Sequence, residues 1–386
     1  MVRDQETFDQ IIETIHRFVR ERLIPNENRL EEEQRVPAEI VQEMRELGLF
    51  GLTIPEEYGG LGLTMEEEAR VIFEIGYASP GFRSTFATTI GLGSQGLVMD
   101  GTDEQKQTYL PRLASGEMVA SFALTEPGSG SDAGSLRTSA EPRDGGYVLN
   151  GSKRFITNAP HAGLFTVFAR TNKNEPGAKG VSALLVEADT PGLKLGKLDK
   201  KMGQKGCDTC DVIFEDCWVP ASSLIGGPTF EGKGFKTAMK VLDRGRLHLS
   251  SGCVGLAERL IDEALSYALE RKQFGQPIAE FQLVQAMLAE MRTGAYAGRT
   301  MVLDAARKRD AGQRITTEAA VCKLFCSEMV GRAADNAVQI HGGSGYINDY
   351  KVERFYRDVR LFRLYDGTSE IQKLVIARDM IRNATQ

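Results

Sequence analysis

Phe8, Ile11, Ile12, Ile15, Phe18, Val19 and Leu23 recur every three or four positions. That spacing puts them on one stripe of an α-helix, and Pro25 ends the run. Val41, Met44, Leu47 and Leu49 continue the pattern up to a turn, Pro55-Glu56-Glu57-Tyr58-Gly59-Gly60-Leu61-Gly62. From about residue 118 to 228 the pattern changes. Tyr147-Val148-Leu149, Phe165-Thr166-Val167-Phe168, Val181-Ser182-Ala183-Leu184-Leu185-Val186 and Val212-Ile213-Phe214 are short β-prone runs. Turns rich in Gly and Pro separate them at strand-like spacing, which predicts a small sandwich or barrel. Helical periodicity returns from about 229, where Leu256, Leu260, Ile261, Ala264, Leu265, Ala268 and Leu269 mark one apolar stripe. A helix from about Gly234 to Lys272 would run ~57 Å, and long striped helices need bundle partners. The pattern therefore predicts a multidomain α+β chain. Its parts are an N-terminal all-α domain (1–117), a middle β-sandwich or barrel (118–228) and a C-terminal four-helix bundle (229–386). There is no βαβ alternation and no GxGxxG after a strand, so a Rossmann nucleotide domain is disfavoured.

Composition narrows the function. A chain of 386 residues, 41% hydrophobic, is long enough for two or three cores. The net charge of -6 gives no electrostatic footprint for nucleic acid. No apolar run is long enough to span a bilayer. Asp4 and Glu6 stand where a signal peptide would be basic and then apolar, so a cytoplasmic location is expected. Six scattered cysteines fit a reducing compartment. Cys207 and Cys210 form a CxxC that no second pair or nearby His completes, and Cys322 and Cys326 sit at core spacing on a helix. None of the four histidines has a metal-ligand partner at suitable spacing, so no metal is expected.

Five segments carry candidate chemistry. Phe122-Ala123-Leu124-Thr125-Glu126-Pro127-Gly128-Ser129-Gly130-Ser131-Asp132 opens the β region with small residues and hydroxyls, which offer donors to a flat polar ring or a phosphate. Lys153-Arg154-Phe155-Ile156-Thr157-Asn158 puts an aromatic and a hydroxyl two residues apart on one strand face. Arg271-Lys272-Gln273-Phe274-Gly275-Gln276-Pro277-Ile278 ends the long helix, with Gln282 after it, and Gln339-Ile340-His341-Gly342-Gly343-Ser344-Gly345-Tyr346 is a second Gly-rich turn. Near the C-terminus comes Leu364-Tyr365-Asp366-Gly367-Thr368-Ser369-Glu370-Ile371. A carboxylate held there would remove a proton, and Gly367 would let a substrate approach the backbone.

In this order, and with the early Pro-Glu-Glu-Tyr-Gly-Gly-Leu-Gly turn, these segments resemble the acyl-CoA dehydrogenase family of flavoproteins over essentially the whole chain. The resemblance implies helical, β and helical-bundle domains, with FAD between the second and third. It implies that Phe122, Leu124, Thr125, Gly130 and Ser131 line the flavin or the acyl thioester, with Phe155 and Thr157 beside the isoalloxazine. Phe155 stands where Trp is common in relatives, so stacking survives while an indole N–H is lost. It further implies that Arg271, Gln273, Phe274, Gln282, Gln339, Gly342 and Gly343 hold the adenine and pyrophosphate across a subunit interface. Thr368 and Glu370 match later FAD contacts. Asp243 and Arg246 match a CoA-binding segment, with Ser131 and Gly367 also at the substrate. The implied assembly is a homotetramer, and the implied electron acceptor an electron-transferring flavoprotein.

The implied reaction is α,β-dehydrogenation of an acyl-CoA to the trans-2-enoyl-CoA, with a base at Cα and hydride transfer from Cβ to flavin N5. The usual base in this loop is Glu. Here it is Asp366, one methylene shorter, a deficit on the order of 1.5 Å where ~1 Å of misplacement costs ~100-fold in rate. Some relatives carry the base on the long helix, but the matching residue is Gly245. An Asp at this place also resembles certain dehydrogenases of ring-bearing acyl-CoAs and the nitroalkane oxidases. The latter reading would drop CoA and pass electrons to oxygen, and retention of Arg246 and the Gly-Thr-Ser-Glu-Ile loop favours a thioester. A flavin- or CoA-binding protein without turnover is a third reading. Arg83, in Ser79-Pro80-Gly81-Phe82-Arg83-Ser84-Thr85, resembles the arginine of glutaryl-CoA dehydrogenases that holds a distal acid group. It would pair with a substrate carboxylate, or else bond helix ends or Asp366 itself.

Overall fold

The computed structural model describes residues 4–385. Seven helices come first: α1 Gln5–Phe18, α2 Glu27–Glu33, α3 Ala38–Glu46, α4 Met65–Ile75, α5 Pro80–Thr88, α6 Gln95–Asp100 and α7 Asp103–Ala114. Local chemistry sets their starts. Thr64 caps α4 by accepting from the Glu67 N–H at 3.2 Å, while the Glu67 carboxylate accepts from the Thr64 N–H at 2.9 Å. Thr102 and Gln105 repeat the device on α7. The stripe read from Phe8 to Phe18 packs against Leu49, Ile72, Phe82 and Ile90 in one core. Helix α1 does not run unbroken to Pro25, however. It passes at Val19 into a π-turn reaching Leu23 and then a short 3-10 turn.

Seven strands follow: β1 Ala120–Ala123, β2 Ser139–Arg143, β3 Gly146–Thr157, β4 Leu164–Arg170, β5 Val181–Glu187, β6 Leu193–Leu195 and β7 Thr209–Pro220. They form one sheet in the order β1-β4-β2-β3-β7-β6, with β5 also pairing β4. Strands β4 and β5 are buried on both faces. Phe165, Val167, Leu184 and Val186 enter one core, and Leu164, Phe168, Val181 and Leu185 the other, as the two-residue period of a strand requires.

The C-terminal part is α8 Gly234–Glu270, a hairpin of β8 Lys272–Gln273 and β9 Gln276–Pro277, then α9 Gln282–Asp310, α10 Thr316–His341, α11 Val352–Val359 and α12 Ser369–Ala384. Helix α8 opens on Gly234 because a Cβ there would stand 2.2 Å from the Ser182 carbonyl carbon of β5. Its apolar face then joins α9, α10 and α11 in the bundle core, which also takes in Met65, Ala69 and Phe73 of α4. All six cysteines are buried and unpaired. No helix among the described residues is long and apolar enough to cross a membrane.

Candidate active site

Asp366 lies in the turn between α11 and α12, partly buried, with φ at +55°, and Gly367 follows at +86°. Two consecutive left-handed residues throw their carbonyls toward the protein. The Asp366 carbonyl accepts from Gln372 Nε2 at 3.1 Å and from Arg246 Nε at 3.4 Å. The Gly367 carbonyl accepts from Lys323 Nζ at 2.7 Å and from Gln372 Nε2 at 2.9 Å. Thr368 then caps α12 by accepting from the Ile371 N–H at 3.3 Å. Burial raises the Asp366 carboxyl above its ordinary range, against the pull of Lys323, Arg246 and Arg83. A carboxyl raised in this way is a better proton acceptor than a solvated one.

Arg83, on α5, is 5% exposed. Its Nη2 donates to Tyr365 Oη at 3.3 Å, and among the described residues no carboxylate lies within ion-pair distance of it. The guanidinium rests on Gly252 of α8, where a Cβ would come within 3.2 Å of Nε. Burial raises the Tyr365 phenol pKa, so it stays a neutral hydroxyl. Gly245 carries no side chain to serve as an alternative base on α8, and a Cβ there would meet Leu92 Cδ2 at 2.8 Å.

Arg246 is turned inward, not outward to solvent. Besides the Asp366 carbonyl it donates to Asp243 Oδ1 at 2.8 Å, and Asp243 Oδ2 accepts from Thr316 Oγ1 at 2.8 Å. Both residues therefore brace the turn that carries Asp366. On another face of α8, two residues along, His248 Nδ1 meets Glu68 Oε1 at 2.8 Å, and Arg244 pairs with the same carboxylate. Burial alone would raise Glu68, but Arg244 and the His248 hydrogen bond hold it low, while burial keeps His248 neutral.

The opposite wall is built on the sheet. Strand β3 shifts register between Lys153 and Ile156, and at that bulge Phe155 takes φ +60° and stands 60% exposed. Arg154 covers one side of its ring, 4.2 Å from the centroid. Lys153 points the other way, wholly buried. It donates to Glu126 Oε1 at 2.8 Å and to the Leu124 carbonyl at 3.1 Å, with burial drawing its pKa down to about 8. Glu126 also accepts the Arg137 and Thr138 N–H groups. The Arg154 N–H reaches the Thr125 carbonyl at 2.8 Å, and Ser121 Oγ reaches the Thr157 carbonyl at 2.8 Å. These bonds bring Phe122, Leu124 and Thr125 beside Phe155 and Thr157. Asn158 joins this wall to the other, because its Nδ2 donates at 2.8 Å to the carbonyl of Ser84, next to Arg83. Ser131 and Gly130 stay exposed beyond it.

A second group lies apart. Arg271, Gln273, Phe274, Gln282, Gln339, Gly342 and Gly343 are exposed at the far end of the bundle, with Phe274 at 94%. Arg271 lies about 37 Å along α8 from Arg246. His341 is buried there, its Nδ1 donating to the Ala337 carbonyl at 2.8 Å and its ring stacked on Tyr267. Glu370 is exposed on α12.

The donor set fits a flavin dinucleotide. An exposed aromatic held in a strained conformation offers a ring face, and Gly130, Gly342 and Gly343 have open space where side chains would stand. Lys323, Gln372 and the Glu68–Arg244–His248 network were not singled out in the sequence. A lone Lys within the apolar run Ala319 to Cys326 was the one readable sign of them.

Family models described as acyl-CoA dehydrogenase N-terminal, middle and C-terminal domains match residues 5–117, 121–217 and 232–381. The chain is 45% identical to the probable acyl-CoA dehydrogenase YngJ of Bacillus subtilis (strain 168), covering 96% of this chain and 97% of that one. It is 41% identical to the caffeyl-CoA reductase-Etf complex subunit CarC of Acetobacterium woodii, covering 92% of each. A solved glutaryl-coenzyme A dehydrogenase in complex with glutaryl-CoA superposes with a TM-score of 0.92 at 32% identity, over 99% of this chain and 96% of that chain.

Proposed function

The chain belongs to the acyl-CoA dehydrogenase family, FAD-dependent oxidoreductases acting on acyl-CoA, and on that premise we propose that Asp366 is the base that takes the α-proton. When bound, FAD supplies the acceptor, N5, for the hydride that leaves Cβ. The two departures, a proton from Cα and a hydride from Cβ, leave the trans-2-enoyl thioester. The observation that supports this reading most is the pair of carbonyl-anchored left-handed residues, which hold the Asp366 backbone against α8 and α10, while α5, bonded to the neighbouring Tyr365, is joined through Asn158 to the strand of Phe155 and Thr157. Arg246, Lys323 and Arg83 favour the carboxylate before proton transfer, and burial favours the acid after it. Phe155 would stack on the isoalloxazine, with Thr157 at its edge. Rapid mixing with acyl-CoA in the absence of oxygen tests the assignment. The wild type bleaches, and Asp366→Asn stays yellow. An Asn variant that bleaches at the wild-type rate defeats it.

Arg83 favours a second, narrower reading, an acyl group ending in a carboxylate. A buried guanidinium with, among the described residues, only a phenol as hydrogen-bond partner is poorly compensated, and an incoming carboxylate would complete it. Turnover of glutaryl-CoA against butyryl- and octanoyl-CoA decides this, and equal or better turnover of the unsubstituted thioesters removes it. An electron-transferring flavoprotein is the proposed acceptor, supported by the relative named as a reductase-Etf complex subunit. A homotetramer is proposed because Phe274, Leu283, Tyr296 and Tyr346 leave apolar surface open on the bundle. A cytoplasmic location fits the six unpaired cysteines.

A further inference from the structure

We infer that Lys323 is a positioning residue for Asp366: together with Gln372 and Arg246 it clamps the two carbonyls that follow the base. The inference rests on Asp366 being that base.

Lys323 stands on α10, wholly buried, and among the described residues its ammonium has one hydrogen-bond acceptor, the Gly367 carbonyl at 2.7 Å. Burying a lysine for a single neutral acceptor is costly. A charge is retained in such a place when it acts on another charge, and the carboxylate of Asp366 is the one that offsets its burial most. Gln372 is equally buried and divides its amide nitrogen between both carbonyls, leaving its own oxygen without a partner. A glutamine placed for core packing alone would not leave that atom orphaned.

The backbone makes the clamp necessary. Asp366 is a non-Gly residue at φ +55°, a conformation that costs of order 1 kcal/mol or more unless its surroundings impose it. Without donors at the carbonyls, the turn would relax and swing the carboxylate away. With both carbonyls taken from behind, the N–H groups of Asp366, Gly367 and Thr368 make no hydrogen bond among the described residues, and remain free for a thioester oxygen.

Every charged or titratable group facing Asp366 bears on the test. Lys323 comes from α10, Arg246 and Cys253 from α8, Arg83 from α5 and Tyr365 from its own turn, with Asp243 and Glu328 one contact further out. Removing the Lys323 charge leaves two cations and should raise the proton affinity of the base.

Two variants separate the donor from the charge. Lys323→Gln keeps an N–H for the Gly367 carbonyl and loses the charge; Lys323→Met loses both. In anaerobic mixing, Lys323→Met should slow flavin reduction ~10- to 100-fold, with FAD content at the wild-type level. Lys323→Gln should slow it less. In both, the rising limb of the reduction rate against pH should move upward by about one unit. Infrared titration of the cofactor-free protein, with Asp366→Asn as the blank, should show the same upward move of the carboxyl midpoint without any turnover. Should Lys323→Met fail to fold, Lys323→Gln and Gln372→Leu carry the test. A wild-type rate and an unmoved midpoint in the folded variants overturn the inference. If Asp366→Asn itself bleaches, the base assignment falls instead, which is a separate result.

Discussion

Arg83 Nη2 donates to Tyr365 Oη at 3.3 Å, so the guanidinium of α5 is bonded to the residue immediately before the candidate base. That contact depends on Gly252, because any side chain there would press on the guanidinium. Gly252→Ala should therefore disturb Arg83 while making α8 intrinsically more helical by up to ~1 kcal/mol. The expected outcome is unchanged or higher melting temperature with a raised KM for a carboxylate-ended thioester. Equal KM values for glutaryl-CoA in wild type and variant would count against the contact.

The length of the base is the second test. Asp366→Glu adds one methylene to a side chain whose backbone is pinned by Gln372, Arg246 and Lys323. The pinned backbone would not retreat, so the carboxylate overshoots, and flavin reduction should fall ~10- to 100-fold with FAD retained. Faster reduction in the Glu variant would mean that the turn is not held as described.

Asp358 gives a stability test away from the chemistry. It is buried beneath the Gln204 N–H and near Glu31, Arg354 and Arg357, and burial pushes its pKa up to about 7. The unfolded chain would hold this proton only below about 4. Between those values the folded state binds more protons, so stability from this group falls as pH rises through about 7. Asp358→Asn should flatten that decline and raise the melting temperature at pH 8 relative to wild type. Parallel curves for both proteins between pH 5 and 8 would contradict it.

Lys153 and Glu126 give the largest expected loss. Lys153→Met strands a buried carboxylate that otherwise receives the ammonium and two backbone N–H groups. The cost should be about 3–5 kcal/mol, with FAD content falling as the Leu124–Thr125 wall loosens. Lys153→Met with Glu126→Gln should recover much of the loss, and chemical denaturation of the two measures it.

Much of this was legible in the sequence because it is periodic. The stripe of α1, the strands at 147–149, 165–168, 181–186 and 212–214, and the long α8 all carry their period in apolar residues. The strand at 153–158 was also read, but its bulge and the partners of its polar side chains were not, because those partners are distant in sequence. Asp366, Arg83 and Arg246 were named from motifs. Their mutual placement was not, since it joins residues more than a hundred positions apart. Lys323 and Gln372 lay outside any motif, and their role is defined only by two carbonyls whose direction follows from positive φ.

Helix α8 starts wedged against β5 and ends in the bundle, having passed beneath α4 and α5 on the way. A single rod thus joins the core on one side of the sheet, through Ala238, to the core of the bundle, so a shift of one against the other would have to bend that rod.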